Sequence, residues 1–159
     1  MISQKQLTQI RRVLKTNGVI LAYIFGSFAR GKVGHLSDFD IAVVFSKKIS
    51  QREHFDKQLE IASEIGNIMK IERVDVINLE TASGPLLKRN AVFGGKIILG
   101  EKAKIRFNLE RKIMQEYEDT KYLREVQYYY LRKHIREGSF GKAPFSPSQT
   151  RIMQKYVNR

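Results

Sequence analysis

Apolar positions along this chain follow two rhythms, and the switch between them marks out the elements. Leu7, Ile10, Val13 and Leu14 recur at three- and four-residue intervals, the spacing of one helical face, so residues 3–16 read as an opening helix. Ser3 stands where an N-cap belongs and Asn17-Gly18 where the helix should stop. Val19–Phe25 and Phe39–Phe45 are nearly continuous apolar runs of strand-forming residues, and "VDVINL" within residues 73–79 reads as a third strand. Between the second and third, Phe55, Leu59, Ala62, Ile65 and Ile68 share a helical face across residues 50–70. The order is therefore β-turn-β-α-β. Residues 81–93 suggest another short helix, and Lys96–Leu99 a short strand between glycines. From residue 101 to 137 there is neither Gly nor Pro. Ile105, Leu109, Ile113, Tyr117, Tyr128, Leu131 and Ile135 keep helical spacing there, which predicts one long helix or two abutting ones. Beyond it, "GSFGKAPFSPSQT" reads as a linker and residues 151–159 as a short basic tail.

Composition narrows the class. At 159 residues with 42% hydrophobic and 28% charged, the chain is long enough to bury a core and too apolar to be disordered. It contains no cysteine, which excludes disulfides, thiolate metal sites and a cysteine nucleophile. No apolar run approaches the ~20 residues of a membrane span, and "MISQKQLTQIRRVLK" lacks a signal-peptide pattern, so a cytoplasmic location without membrane contact is expected. The net charge of +13 is unevenly placed: residues 81–159 carry 17 basic and 7 acidic groups, against 12 and 9 in residues 1–80. A basic half attracts polyanions, whether nucleic acid, nucleotide or an acidic protein.

The chemistry gathers around "GSFARGKV" at residues 26–33, directly after the first strand. This nearly spells a P-loop, but Val33 stands where that motif needs a metal-binding hydroxyl, and Gly34 follows where a helix should continue. What comes next is "SDFDIAVVF". Asp38 and Asp40 are two residues apart at a strand's start, so both carboxylates aim at one place. Asp75 sits in another apolar strand, where an acid is out of character without a partner; Arg73 and Lys70 are candidates for a plain ion pair. Three carboxylates brought together repel by about 1 kcal/mol per pair at 4 Å in water, and about 4 at an effective dielectric of 20. Cations make such a cluster sensible. An all-oxygen set favours a hard ion, Mg²⁺ or Mn²⁺, and two such ions can clamp the attacking and leaving oxygens of a phosphoryl displacement. Gly26 and Ser27 would then offer backbone N–H groups to a triphosphate, with Arg30 or Lys32 neutralising the leaving pyrophosphate.

"GSFARG", then "SDFD", then a lone Asp in a later strand resembles the nucleotidyltransferase superfamily of DNA polymerase beta. More narrowly, the small size, the "GSFARGK…SDFDIAVV" wording and the long helix after "GKIILGE" resemble the minimal nucleotidyltransferase (MNT) antitoxins of the MntA family, encoded beside HEPN-domain ribonuclease toxins. The resemblance covers roughly residues 15–135. It implies an α/β fold with a small mixed sheet flanked by helices: a core over residues 1–100, a helical region for partner recognition over 101–137, and a linker and tail over 138–159. It also implies transfer of AMP from ATP to a tyrosine hydroxyl of the toxin, with Mg²⁺ (two ions, or Mn²⁺), pyrophosphate as product, and the toxin as both substrate and complex partner. Gly26 and Ser27 would bind triphosphate, Asp38 and Asp40 the metals, and Asp75 a metal while helping deprotonate the attacking hydroxyl.

Two other functions compete: an antitoxin that acts by occlusion alone, and nucleotide addition to RNA ends. Tyr128, Tyr129 and Tyr130 with Arg124, Arg132 and Lys133 suit a protein interface better than a base-stacking groove, which makes nucleic acid the less favoured partner. Arg30 and His35 satisfy the R-x₄-H spacing of HEPN ribonucleases, but Gly31 and Gly34 argue against the helix that motif needs. His35 is expected in a loop over the nucleotide, and His54 and His134 at the surface.

Overall fold

A computed structural model describes residues 2–34, 37–100 and 104–141. The sequence-derived elements recur with small changes of boundary. Helix α1 spans Gln4–Thr16, starts at a capping box between Ser3 and Gln6, and ends at Asn17 before Gly18, whose φ of +74° suits glycine. Strand β1 (Val19–Phe25) leads directly into the five-residue helix α2 (Gly26–Arg30), and strand β2 (Phe39–Phe45) follows. Helix α3 (His54–Met69), strand β3 (Val74–Asn78), helix α4 (Pro85–Phe93) and strand β4 (Lys96–Leu99) complete the sheet-bearing part. The long helical stretch is two helices, α5 (Lys104–Asp119) and α6 (Lys121–Arg136). The chain divides into compact units between Asp119 and Thr120, so α5 belongs with the sheet and α6 to the second unit. The tail beyond residue 141 lies outside the described residues.

The sheet has the order β3-β2-β1-β4, with β1 antiparallel to both neighbours and β3 parallel to β2. It is a mixed sheet flanked by helices, as the sequence implied. The continuous apolar character of β1 and β2 has a direct cause, since both faces are covered. On one face, Ile10 and Leu14 of α1 and Ile61 and Ile65 of α3 pack on Ala22, Ile24, Ile41 and Val43. On the other, Ala91 and Val92 of α4 and Ile113 of α5 pack on Leu21, Tyr23, Ala42 and Val44. A polar bracket pins α5 to β1: the buried Tyr23 hydroxyl donates to Glu110 Oε1 (3.1 Å), which also accepts from Arg106 Nε (2.8 Å). Burial first, and then the Glu110 charge, push the Tyr23 hydroxyl well above its ordinary pKa.

Two expectations change. Of the residues placed on one face of α3, Ile65 is buried while Phe55 and Leu59 are 66% and 54% exposed. The buried stripe is instead His54, Ile61 and Ile65, because the helix lies on the sheet along that line and leaves Phe55 and Leu59 on its flank. His54, expected at the surface, is buried. It stacks on Phe45 (ring centroids 4.7 Å apart), and its Nδ1 lies 3.0 Å from the Asn78 amide nitrogen. Asn78 Oδ1 already accepts from the Glu80 amide (3.0 Å), so the Asn78 amide nitrogen donates and His54 Nδ1 accepts.

Candidate active site

The site candidates collect at one end of the sheet, where β1 stops and β2 and β3 begin. Asp40 is the second residue of β2 and stands in register with Asp75 on the parallel neighbour β3 and with Phe25 on β1. Residues in register across adjacent strands point to one face, at the ~4.8 Å strand spacing. The Asp40 and Asp75 carboxylates therefore share the side of the sheet that carries Ala42 and Ile77 further along. Asp38 lies just ahead of β2. The three act on one another: the Asp40 carboxyl titrates above its ordinary range, first because it is partly buried, then because of the charges of Asp75 and Asp38, with Arg30 pulling the other way.

Gly26 brings the turn onto this cluster. Its φ is +67°, a conformation that costs an L-residue but not glycine, and a β-carbon placed there would sit 1.9 Å from Asp40 Oδ2. No side chain other than hydrogen leaves room for Asp40 where it is. Ser27 follows in the first turn of α2, which has no side-chain cap, so the backbone N–H groups of that turn face the same end of the sheet. The helix closes at Gly31 in the left-handed region, with the Lys32 amide bonded to Ser27 O (3.0 Å). Phe28 anchors the helix by an edge-on contact with Phe39 (5.0 Å). Of the two cations predicted here, Arg30 is the one whose charge reaches Asp40.

The ion pair of Arg73 is with Asp38 rather than Asp75, at 4.0 Å between Nη1 and Oδ1. Sequence proximity of Arg73 to Asp75 pointed the other way; Arg73 precedes β3, and the bond from the Phe39 amide to its carbonyl (3.0 Å) sets it beside the start of β2, next to Asp38. Asp38 Oδ1 is buried and accepts no hydrogen bond, a costly state for a carboxylate oxygen. Among the described residues no three acidic, His or Cys side chains converge tightly enough to form a preassembled metal cage. The donor set nonetheless fits a hard divalent ion: oxygen ligands only, an orphaned Asp38 oxygen, and an Asp40 whose charge Arg30 offsets only in part. His35 lies outside the described residues.

Residues 8–104 match the family described as Polymerase beta, Nucleotidyltransferase. None of the curated proteins matches the chain. Among solved structures, the fold is similar to a toxin–antitoxin bound to AMP-PNP (TM-score 0.67, 23% identity, covering 79% of this chain and 98% of that one). It is similar also to the toxin–antitoxin MntA-HepT (TM-score 0.63, 22% identity, covering 82% and 99%). A third is a tri-AMPylated Shewanella oneidensis HEPN toxin in complex with MNT antitoxin (TM-score 0.62, 22% identity, covering 81% and 98%). At these identities the likeness is one of fold, while the family match spans more than half the chain and runs through the turn at Gly26 and all three aspartates. Among the described residues no helix is long and apolar enough to cross a membrane. This chain belongs to the polymerase beta nucleotidyltransferase family.

Proposed function

We propose that this protein is an antitoxin nucleotidyltransferase that transfers AMP from ATP to a tyrosine hydroxyl of a HEPN ribonuclease encoded beside it, silencing that toxin. One observation carries the reading: the Gly26-Ser27 turn is pressed against Asp40, with Asp75 in register beside it. A triphosphate-binding turn and a pair of carboxylates in van der Waals contact can serve the two ends of a single phosphoryl displacement. Similar folds come from complexes of MNT antitoxins with HEPN toxins, one holding AMP-PNP and one a tri-AMPylated toxin, and they support the partner and the group transferred.

Asp38, Asp40 and Asp75 would hold two divalent ions, Mg²⁺ or Mn²⁺. When bound, the ions supply positive charge to the reacting phosphate and acidify the acceptor hydroxyl. The chain's own groups do the rest. The amides of the first turn of α2, with Ser27, hold the β- and γ-phosphates and keep the α-phosphorus over the carboxylates. The acceptor oxygen bonds to the α-phosphorus, the bond from that phosphorus to the β-phosphate oxygen breaks, and the tyrosine proton passes toward Asp75. Arg30 and Lys32 offset the charge that builds on departing pyrophosphate. The reaction belongs in the cytoplasm, where ATP and Mg²⁺ are at hand.

Partner recognition falls to α6, which buries none of its residues and exposes Tyr122, Tyr128, Tyr129, Tyr130 and Ile135 amid Arg132 and Lys133. That exposed surface favours a second reading, neutralisation by occlusion. Incubation of the protein with labelled ATP, Mg²⁺ and its genomic neighbour separates the two. AMP on a partner tyrosine with wild type and none with Asp40→Ala supports transfer. Full protection of cells by Asp40→Ala supports occlusion.

A further inference from the structure

Helix α3 leaves an apolar stripe uncovered, and beyond its far end two cavities open toward Asp38. Phe55, Leu59, Ala62 and Gly66 follow one another at four-, three- and four-residue steps, which places them on one side of α3, away from the buried Ile61 and Ile65. Phe55 and Leu59 are more than half exposed. Further along, Ala62, Ser63 and Gly66 form one wall of a trough of about 530 Å³ whose other wall is Val74. Lys70, Ile71 and Glu72 line that trough and also a second cavity of about 380 Å³ that opens on Asp38 and Arg73. The two cavities share Lys70, Ile71 and Glu72 as a common wall, so together they reach from the flank of α3 to Asp38.

Three features say what kind of occupant the groove takes. First, β3 is an edge strand, and its free edge faces this way. The Phe39 amide bonds Arg73 O and the Leu79 amide bonds Val43 O, so the polar groups of the odd-numbered residues of β3 point to β2 and those of Val74 and Val76 point outward. Val76 O is taken by Gln58 Nε2 (2.6 Å); Val74, in the trough wall, offers its N–H and C=O to an extended chain. Second, Lys70 is the one non-glycine with positive φ (+55°) among the described residues. Glycine would adopt that conformation without strain, so what Lys70 contributes is its side chain, at the junction of the two cavities. Third, neither cavity is lined by Gly26, Ser27, Asp40 or Asp75, which leaves the nucleotide's place free when the groove is filled.

Resting on the proposed transfer of AMP to a protein, we infer that this groove receives the acceptor: an extended segment of the partner protein lies along Val74 between the α3 stripe and Lys70, and presents its hydroxyl past Arg73 and Asp38. Phe55 and Leu59 take the apolar residues of the partner at the far end, and Lys70 and Arg73 donate to carbonyls and carboxylates of the segment. The surface is distinct from α6.

The test uses the full chain and the protein encoded by the adjoining reading frame. Leu59→Glu and Lys70→Glu change exposed side chains, and Lys70→Gly removes the side chain while relaxing the backbone; thermal melts confirm folding. The expected result is a rise of about tenfold or more in the dissociation constant for the partner and in its KM, about 1.4 kcal/mol per tenfold, with the affinity for AMP-PNP within about twofold of wild type. The chain has no cysteine, so Ser63→Cys carries a single photo-crosslinker, and the partner peptide it captures should include or adjoin the modified tyrosine. Unchanged partner affinity, loss of AMP-PNP binding instead, crosslinks remote from the modified residue, or loss of binding to a short single-stranded RNA without loss of partner binding each overturns the assignment. Absence of AMP transfer by wild type overturns the function proposed above and not the groove, which the dissociation constants then decide.

Discussion

Replacement of Gly26 by alanine tests the junction on which the active site rests. The added methyl carbon would lie 1.9 Å from Asp40 Oδ2 and 2.9 Å from its Cγ, well inside an ordinary contact, and nothing else in the vicinity is as close. The obstructing atoms belong to the end of a short side chain, so the fold survives by turning the Asp40 carboxylate away. Two costs follow. An L-residue at φ +67° is strained by about 1–2 kcal/mol, which for a chain of this size lowers Tm by about 2–8 °C. Displacement of the carboxylate by an ångström or more costs about 100-fold in kcat/KM, because reacting groups lose alignment steeply with distance. Differential scanning calorimetry and single-turnover AMP transfer measure the two separately. A double-mutant cycle with Asp40→Ala sharpens the result: with the carboxylate gone, Gly26→Ala should retain the strain and lose the clash, leaving a coupling of about 0.5–1.5 kcal/mol. A Gly26→Ala protein within about threefold of wild-type kcat/KM would refute the reasoning, since Asp40 would then have no need to stand where the structure places it.

Other outcomes follow from the same geometry. The Asp40 carboxyl is raised by burial and by Asp75 and Asp38, so the folded state holds its proton to higher pH than the unfolded chain does. Stability therefore falls as pH rises from the unfolded value of about 3.9 through the folded one, and Asp40→Asn should raise the Tm of metal-free protein at pH 7 by an amount that vanishes below pH ~4. Added Mg²⁺ should raise the Tm of wild type and not that of Asp40→Asn, read in paired melts with and without chelator. Tyr23→Phe removes the hydroxyl that donates to Glu110 while Arg106 keeps its bond, so urea unfolding should show a loss of about 0.5–1.5 kcal/mol with AMP transfer intact. Charge reversal at both Arg132 and Lys133 should weaken capture of the partner by about tenfold or more in a calorimetric titration, without change in metal-dependent stabilisation.

Much of this was legible along the chain because the signals are local. Val19–Phe25 and Phe39–Phe45 announce themselves as strands through β-branched and aromatic runs, and Ser3 and Gly18 punctuate α1 through capping and backbone freedom that depend on a few neighbouring residues. The same holds for Gly26-Ser27 after a strand and for Asp38 and Asp40 two residues apart. His54 was not legible as a core residue, since a polar ring at a helix start reads as exposed until Phe45 and Asn78 are brought to it. Nor was the exposed flank of α3. Phe55 and Leu59 fit a helical stripe as well as Ile61 and Ile65 do, and only the line along which the helix meets the sheet chooses between them.

By itself, then, the order of residues determined the elements, the mixed α/β class and the candidate site set of glycine, serine and three aspartates. The tertiary structure decided which of these meet. Asp75 stands beside Asp40 because β3 pairs with β2 in one register of several that the chain could attempt, and that register is set by apolar side chains further along both strands, Ile77 beside Ala42 among them. The contact of Gly26 with Asp40, the pairing of Arg73 with Asp38 and the groove that ends at Asp38 come from the same source: packing free energy summed over the whole core, which no short window of sequence contains.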